Sequence, residues 1–171
     1  MYQDDVIYLR PITREDTEMV IGWRNKEEVK KWFIYQKDFT KETHEAWLRD
    51  YVDTGECVQM IVVLKEGDEP VGSVYIRDID RTHHKGEFGA FIGSDSARGK
   101  GIGTRSCKLM LQYGFEQLNL HKIVMRAYAD NLSSLKFCKN AGFVQEAYLK
   151  DDVFVRGEYR DMVLMSVIRD E

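Results

Sequence analysis

Ser94-Asp-Ser-Ala-Arg98-Gly99-Lys100-Gly101-Ile102-Gly103-Thr104 is the stretch whose reading decides the fold. An apolar run, Phe88 to Ile92, leads into it. An amphipathic segment from Ile102 to about Gln117 leads out, with Ile102, Ser106, Leu109, Met110 and Tyr113 on one stripe. That order predicts a strand, a glycine-rich turn and a helix. Gly99, Gly101 and Gly103 permit positive φ and leave no Cβ in the way. The first amides of the following helix have no partner within it, and the aligned peptide dipoles add partial positive charge there. Arg98 and Lys100 add full charges beside them. The sum is a site for a phosphate or pyrophosphate.

Two common phosphate loops are excluded by spacing. No G-x-x-x-x-G-K-[ST] string occurs. The dinucleotide fingerprint needs G-x-G-x-x-G early in a βαβ unit, whereas here the order is G-x-G-x-G and the loop lies past the middle of the chain.

Outward from the loop, the apolar stretches around Val6–Pro11, Val58–Leu64, Val71–Ile79, Glu87–Ile92 and Val124–Tyr128 read as strands. The second and third form a hairpin through Gly67-Asp-Glu-Pro70. Phe143–Tyr148 and Gly157–Ile168 read as a last antiparallel pair joined through Asp151, Asp152 and Val153. Thr13-x-x-Asp16 resembles a capping box for a helix through Val20 and Trp23. A second helical piece holds Val29, Trp32 and Phe33. Thr40 caps a third, which carries Trp47, Leu48 and Tyr51 and ends near Gly55. Asn131 caps a helix that stops at Gly142. Strands alternating with helices give a mixed α/β sheet with one parallel pair across the glycine-loop helix. Alternation sets Glu87, Gly89 and Phe91 on one face of their strand, and Phe88, Ala90 and Ile92 on the other.

With 171 residues, 43% of them apolar, and only two prolines, the chain suits a single domain over residues 1–171. A formal charge of −4 with interspersed signs gives no basic face for nucleic acid. No apolar run is long enough for a membrane helix, and Met-Tyr-Gln-Asp-Asp lacks the basic start of a signal peptide. Cys57, Cys107 and Cys138 are an odd, unclustered set, which suits reduced thiols in a cytoplasmic protein. His83-His84 has no further ligand at zinc spacing, so no metal site is expected.

Arg98-x-x-Gly101-x-Gly103 resembles the acyl-CoA pyrophosphate loop of the GNAT (Gcn5-related N-acetyltransferase) family, and Asn131-Leu-Ser-Ser-Leu-Lys-Phe-Cys-Lys-Asn-Ala-Gly142-Phe143 resembles that family's second block. Trp23-Arg24-Asn25, Glu87-Phe88-Gly89 and Gly157-Glu-Tyr159-Arg-Asp161 are similar to the ribosomal-protein N-terminal (alanine) acetyltransferase branch, and Trp-Arg-Asn also to bacterial amino-sugar acetyltransferases.

The resemblance implies a mostly antiparallel α/β sheet of about seven strands. Its fourth and fifth strands form a splayed parallel pair flanked by helices. It implies acetyl-CoA as co-substrate and direct attack by a primary amine, either a protein N-terminus or a small molecule such as an amino sugar, polyamine or aminoglycoside. A homodimer, common among relatives, belongs to the same expectation.

For the coenzyme it implies Arg98, Gly99, Lys100, Gly101, Ile102, Gly103 and Thr104 around the diphosphate. Phe91, Ile92, Asn131, Ser134 and Cys138 would lie along the pantetheine. A backbone N–H near Phe91 or Ile92 would meet the oxyanion.

An amine of ordinary pKa must lose a proton at a cost of roughly 4 kcal/mol at neutral pH, and Glu87 is the candidate base. The family's usual tyrosine acid, seven residues after the asparagine, is replaced here by Cys138; Ser134 offers a hydroxyl that would orient a water. Trp23, Trp32, Tyr35, Tyr128 and Tyr159 are candidate acceptor-side residues, with a helix-core or hairpin role as the alternative. The rival of another class is a coenzyme-binding sensor or interaction module without catalysis.

Overall fold

A computed structural model describes residues 1–170. The chain forms an eight-stranded sheet of spatial order β1-β2-β3-β4-β5-β6-β8-β7. The strands are β1 Tyr2–Gln3, β2 Ile7–Pro11, β3 Val58–Leu64, β4 Glu69–Asp80, β5 Lys85–Ile92, β6 Lys122–Tyr128, β7 Val144–Val155 and β8 Glu158–Ile168. Every neighbouring pair is antiparallel except β5 and β6. The eighth strand relative to expectation is Tyr2–Gln3, too short for a sequence pattern and held by pairing with Leu9 and Tyr8.

The helices are α1 Thr17–Arg24, α2 Glu27–Lys30, α3 Lys41–Trp47, α4 Ile102–Glu116 and α5 Leu132–Asn140. α4 and α5 cover one face of the sheet. There Ile102, Leu109 and Met110 pack on Val62, Val74, Ile76 and Phe88. α1 to α3 cover the other, where Val20, Trp23, Val29 and Leu48 pack on Ile61, Val63 and Phe91. β3 therefore contributes alternate residues to two cores, which is why it reads as an unbroken apolar run.

Local sequence explains most boundaries. The Asp16 carboxylate accepts from the Thr13 amide at 2.8 Å and is gripped by both Arg10 Nη atoms at 2.7 and 2.8 Å. Thr40 Oγ1 accepts from the Thr43 amide at the start of α3, and α3 runs on into a wider π-turn over Leu48–Val52.

Two expectations need correction. The second helical piece stops at Lys30, so Trp32 and Phe33 lie in irregular chain. The last hairpin turns at Arg156-Gly157, both at positive φ (53° and 82°) as a tight hairpin turn prefers; Asp151 and Asp152 lie in a bulge inside a continuous β7, and Val153 pairs with Arg160. No helix among the described residues is long and apolar enough to cross a membrane.

Candidate active site

β5 and β6 pair only at Lys85–Lys122, Gly86–Ile123 and Glu87–Val124. Beyond that point β5 stays on β4 as far as Ile92–Gly72, and β6 stays on β8 as far as Tyr128–Met162. The two strands therefore part, and their facing edges, Phe88–Ile92 and Met125–Tyr128, have no strand between them. A cleft of about 1180 Å³ fills the gap. It runs from the start of α4 to the α1–α3 face, and Arg98, Gly99, Gly101, Ile102, Gly103 and Thr104 line one end.

At that end Gly99 and Gly101 have φ of 74° and 75°. A side chain at either would meet nothing within 4 Å, so open space lies above the turn. The first α4 hydrogen bond runs from the Arg105 amide to Gly101 O at 3.2 Å. The amides of Ile102, Gly103 and Thr104 thus have no helical partner. Arg98 Nε donates to Ile92 O at 3.3 Å and Nη1 pairs with Asp95 at 2.8 Å, while Nη2 is buried without a partner. A buried donor left unpaired costs roughly 1–3 kcal/mol. An anion above the turn would satisfy it, so this end fits the diphosphate of an acyl-CoA. Lys100 is exposed and lies outside the cleft wall.

The pantetheine candidates divide. Phe91, Ile92, Asn131 and Ser134 line the cleft. Asn131 Oδ1 accepts from the Ser134 amide at 3.3 Å, capping α5, and leaves its NH₂ for another partner. Cys138 is not among them. It has no exposed surface and sits beside Cys107 in the core under α4 and α5.

Glu87 stands where the strands part, 15% exposed, its Oε1 3.1 Å from Arg77 Nη2 and 3.6 Å from Arg126 Nε. Ser73, Tyr75 and Arg77 of β4 lie directly opposite Phe91, Gly89 and Glu87 of β5, so all six share the α1–α3 face.

The acceptor-side candidates also divide. Trp32 and Tyr35 line the cleft. Trp23 is a core residue, its ring lying where a side chain on Gly93 would be. Tyr128 is buried and donates to Phe33 O at 3.1 Å, with the Arg160 guanidinium 4.2 Å over its ring, so it anchors the wall from behind. Tyr159 is exposed at the hairpin end and packs on Phe154, while Asp161 accepts from Tyr148 Oη and the Asp151 amide within the same hairpin.

Residues that sequence reasoning did not assign to the site stand in or beside the same chamber. Arg24 is 8% exposed, and its guanidinium lies 3.4 Å from the centroid of Phe33, 4.9 Å from Phe39 and 5.7 Å from Phe91. It has no carboxylate partner among the described residues, and burial pulls its pKa down to about 10. Asn25 clasps the Phe39 backbone twice, donating to Phe39 O at 2.9 Å and accepting from Phe39 N at 2.8 Å, which holds that ring over Arg24. His44 Nδ1 bonds Thr17 Oγ1 at 3.0 Å, while Nε2 is buried unpartnered, and burial lowers the ring's pKa. The available signal was an arginine beside two buried apolar positions of α1, Val20 and Trp23, where a surface helix would put a solvent-facing charge.

An acetyltransferase (GNAT) domain model matches residues 7–144. The chain is 30% identical over 166 residues to the spermidine N(1)-acetyltransferase of Escherichia coli K12, covering 96% of this chain and 87% of that one. It is 27% identical over 160 residues to the putative ribosomal N-acetyltransferase YdaF of Bacillus subtilis 168, covering 90% and 84%. The crystal structure of spermidine N-acetyltransferase from Vibrio cholerae, in complex with CoA and spermine, superposes with a TM-score of 0.89 at 22% identity, covering 96% of each chain.

Proposed function

The chain belongs to the GNAT acetyltransferase family, and from that premise we propose that it moves the acetyl group of acetyl-CoA to a primary amine on a small acceptor that also carries an anionic group, an acidic amino sugar being the class that fits. The observation that carries this reading is the Arg24 charge in the acceptor chamber, which is met by aromatic rings but by no carboxylate among the described residues. A buried charge without a counter-ion costs several kcal/mol. An anion on the acceptor repays it, and the surrounding rings of Phe33, Phe39 and Trp32 take the acceptor's apolar surface.

A polycation gains nothing from Arg24 and is repelled by it. Spermidine, the acceptor named for the Escherichia coli relative, is therefore the second reading, supported by that likeness and by Glu28 and Asp50 in the cleft wall.

In this reading the α4 amides and Arg98 hold the diphosphate. The open β5 edge pairs with the pantetheine amides as an added strand would. Glu87, directly or through a water, takes the proton that the ammonium must lose before attack. The N–H of Ile92, which alternation turns away from β4 toward the gap, faces the developing oxyanion, while that of Phe91 belongs to the β4–β5 ladder.

Thiol release from acetyl-CoA over a panel of hexosamine phosphates, nucleotide-linked amino sugars, neutral amino sugars, spermidine, aminoglycosides and free N-terminal peptides tests it. An anionic amino sugar is expected to give the highest kcat/KM. Arg24→Met is expected to raise KM at least tenfold for that acceptor while leaving a neutral amino sugar unaffected. Preference for spermidine, or an Arg24→Met enzyme with unchanged KM, would contradict the anionic acceptor.

A further inference from the structure

Acetyl transfer leaves a thiolate that needs a proton, and the residue at the family's tyrosine position, Cys138, is closed off in the core. Four tyrosines lie in or beside the cleft. Tyr35 and Tyr51 are exposed on its rim, and Tyr128 already donates to Phe33 O. Tyr75 differs from all three. It starts on β4 directly opposite Gly89, and its ring and hydroxyl oxygen occupy the space that a Gly89 Cβ would take. The ring therefore lies over Gly89 on the α1–α3 face of β5, two residues past Glu87, the last residue paired to β6. Its hydroxyl has no hydrogen-bond partner among the described residues, and it lines the cleft.

Resting on the acetyl-transfer reading, we propose that Tyr75 is a catalytic residue of the reaction, the proton donor to the departing CoA thiolate. When the tetrahedral intermediate collapses, its oxyanion re-forms the carbonyl. The carbon–sulfur bond breaks with its electron pair going to sulfur, and the Tyr75 Oη proton moves to that sulfur. The surplus proton on the new amide nitrogen passes through water to the phenolate and restores Tyr75. The proton that Glu87 took earlier goes to solvent. The balance is one amine and one thioester in, one amide and one thiol out.

The groups that face the phenol are Arg77 and Arg24, which favour its ionised form, and Glu87 and Cys57, which oppose it. Burial outweighs the arginines and keeps the phenol protonated above its ordinary range. A donor of this kind works only while protonated, so the rate should fall at alkaline pH as the phenol ionises. Glycine at 89 is the matching feature of the fold, since any side chain there would push the ring away from the gap.

Leaving-group protonation is common to every nucleophile, so the test does not depend on the natural acceptor. Thiol release from acetyl-CoA is measured with hydroxylamine and with the best amine of the panel. The proteins are the parent, Tyr75→Phe, and one carrying 3-fluorotyrosine at position 75. Tyr75→Phe should lose about 100-fold in kcat with both nucleophiles, and calorimetry should give an unchanged Kd for CoA. The fluorinated protein should keep activity with its alkaline limb moved to lower pH.

A loss under tenfold, a loss confined to one nucleophile, or an alkaline limb that stays put would overturn the role of Tyr75. A parent that released no thiol with any nucleophile would overturn the acetyl-transfer reading together with it.

Discussion

Arg98 and Arg24 are two cations whose surroundings leave part of their chemistry unmet. Arg98 has one buried Nη without a partner at the turn, and Arg24 sits boxed by phenylalanines without a carboxylate. Arg98→Ala removes the diphosphate contact together with the Nε bond to Ile92 O and the pair with Asp95, so calorimetry should show CoA binding at least tenfold weaker, with a melting temperature only slightly below the parent's because both internal contacts lie near the surface. Arg24→Met replaces an unpaired buried charge with an apolar chain of similar length, so its melting temperature should equal or exceed the parent's. A lower one would mean that the Phe33, Phe39 and Phe91 rings stabilise the cation by more than its burial costs.

His44 supplies a pH dependence. Burial depresses its folded pKa below the ordinary 6.5. Below that pH the unfolded chain binds a proton that the native ring refuses. Stability contributed by the neutral ring is present above pH 6.5 and is lost as pH falls from 6.5 to the depressed native value. Melting temperatures should decline through that window, and His44→Gln should flatten the decline.

The Trp23-Arg24-Asn25 segment at the end of α1 shows how one short stretch serves three ends, and why its function was illegible. Trp23 packs over Gly93, Arg24 enters the acceptor chamber, and Asn25 clasps the loop carrying Phe39. Helical periodicity reports only that such residues are buried. It does not tell a core from a pocket wall, because both exclude water. Tyr75 was hidden for a similar reason: on β4 it reads as one more β-former, and its meaning depends on pairing with Gly89 across a hairpin whose register the sequence leaves open.

The glycine turn was legible because its signal is local. Positive φ at Gly99 and Gly101 and the uncapped start of α4 follow from a few adjacent residues. Gly101→Ala meets no neighbouring atom, so its cost is backbone strain alone, about 1 kcal/mol. That corresponds to a melting temperature lower by roughly 2–4 °C in a chain of this length. Gly93→Ala places a methyl inside the Trp23 ring and should cost more, roughly 1–3 kcal/mol. If the two variants melted alike, the packing of Trp23 on Gly93 would be misjudged.

On the scale of the whole molecule, the sheet separates two tasks. In the proposed reading the α4–α5 side, with the glycine turn at its edge, takes the coenzyme's charged end, and the α1–α3 side takes the acceptor. The parted β5 and β6 are the passage between them. The mixed sheet, its parallel pair and the open glycine turn at the start of α4 could be read from strand order and one motif. The acceptor could not, because its chamber is assembled from α1, α3, an irregular stretch at Trp32–Phe39 and β4.

Coenzyme binding to the native cleft should stabilise the protein by roughly 2.7 kcal/mol at a hundredfold excess over Kd, and a melting temperature unmoved by saturating CoA would speak against a preformed site.

A crystal structure with CoA bound is the most direct test. The account predicts diphosphate oxygens within hydrogen-bond distance of the Ile102, Gly103 and Thr104 amides and Arg98, and the thiol between β5 and β6 near Gly89. A diphosphate bound elsewhere, or a thiol that never reaches the passage, would contradict it.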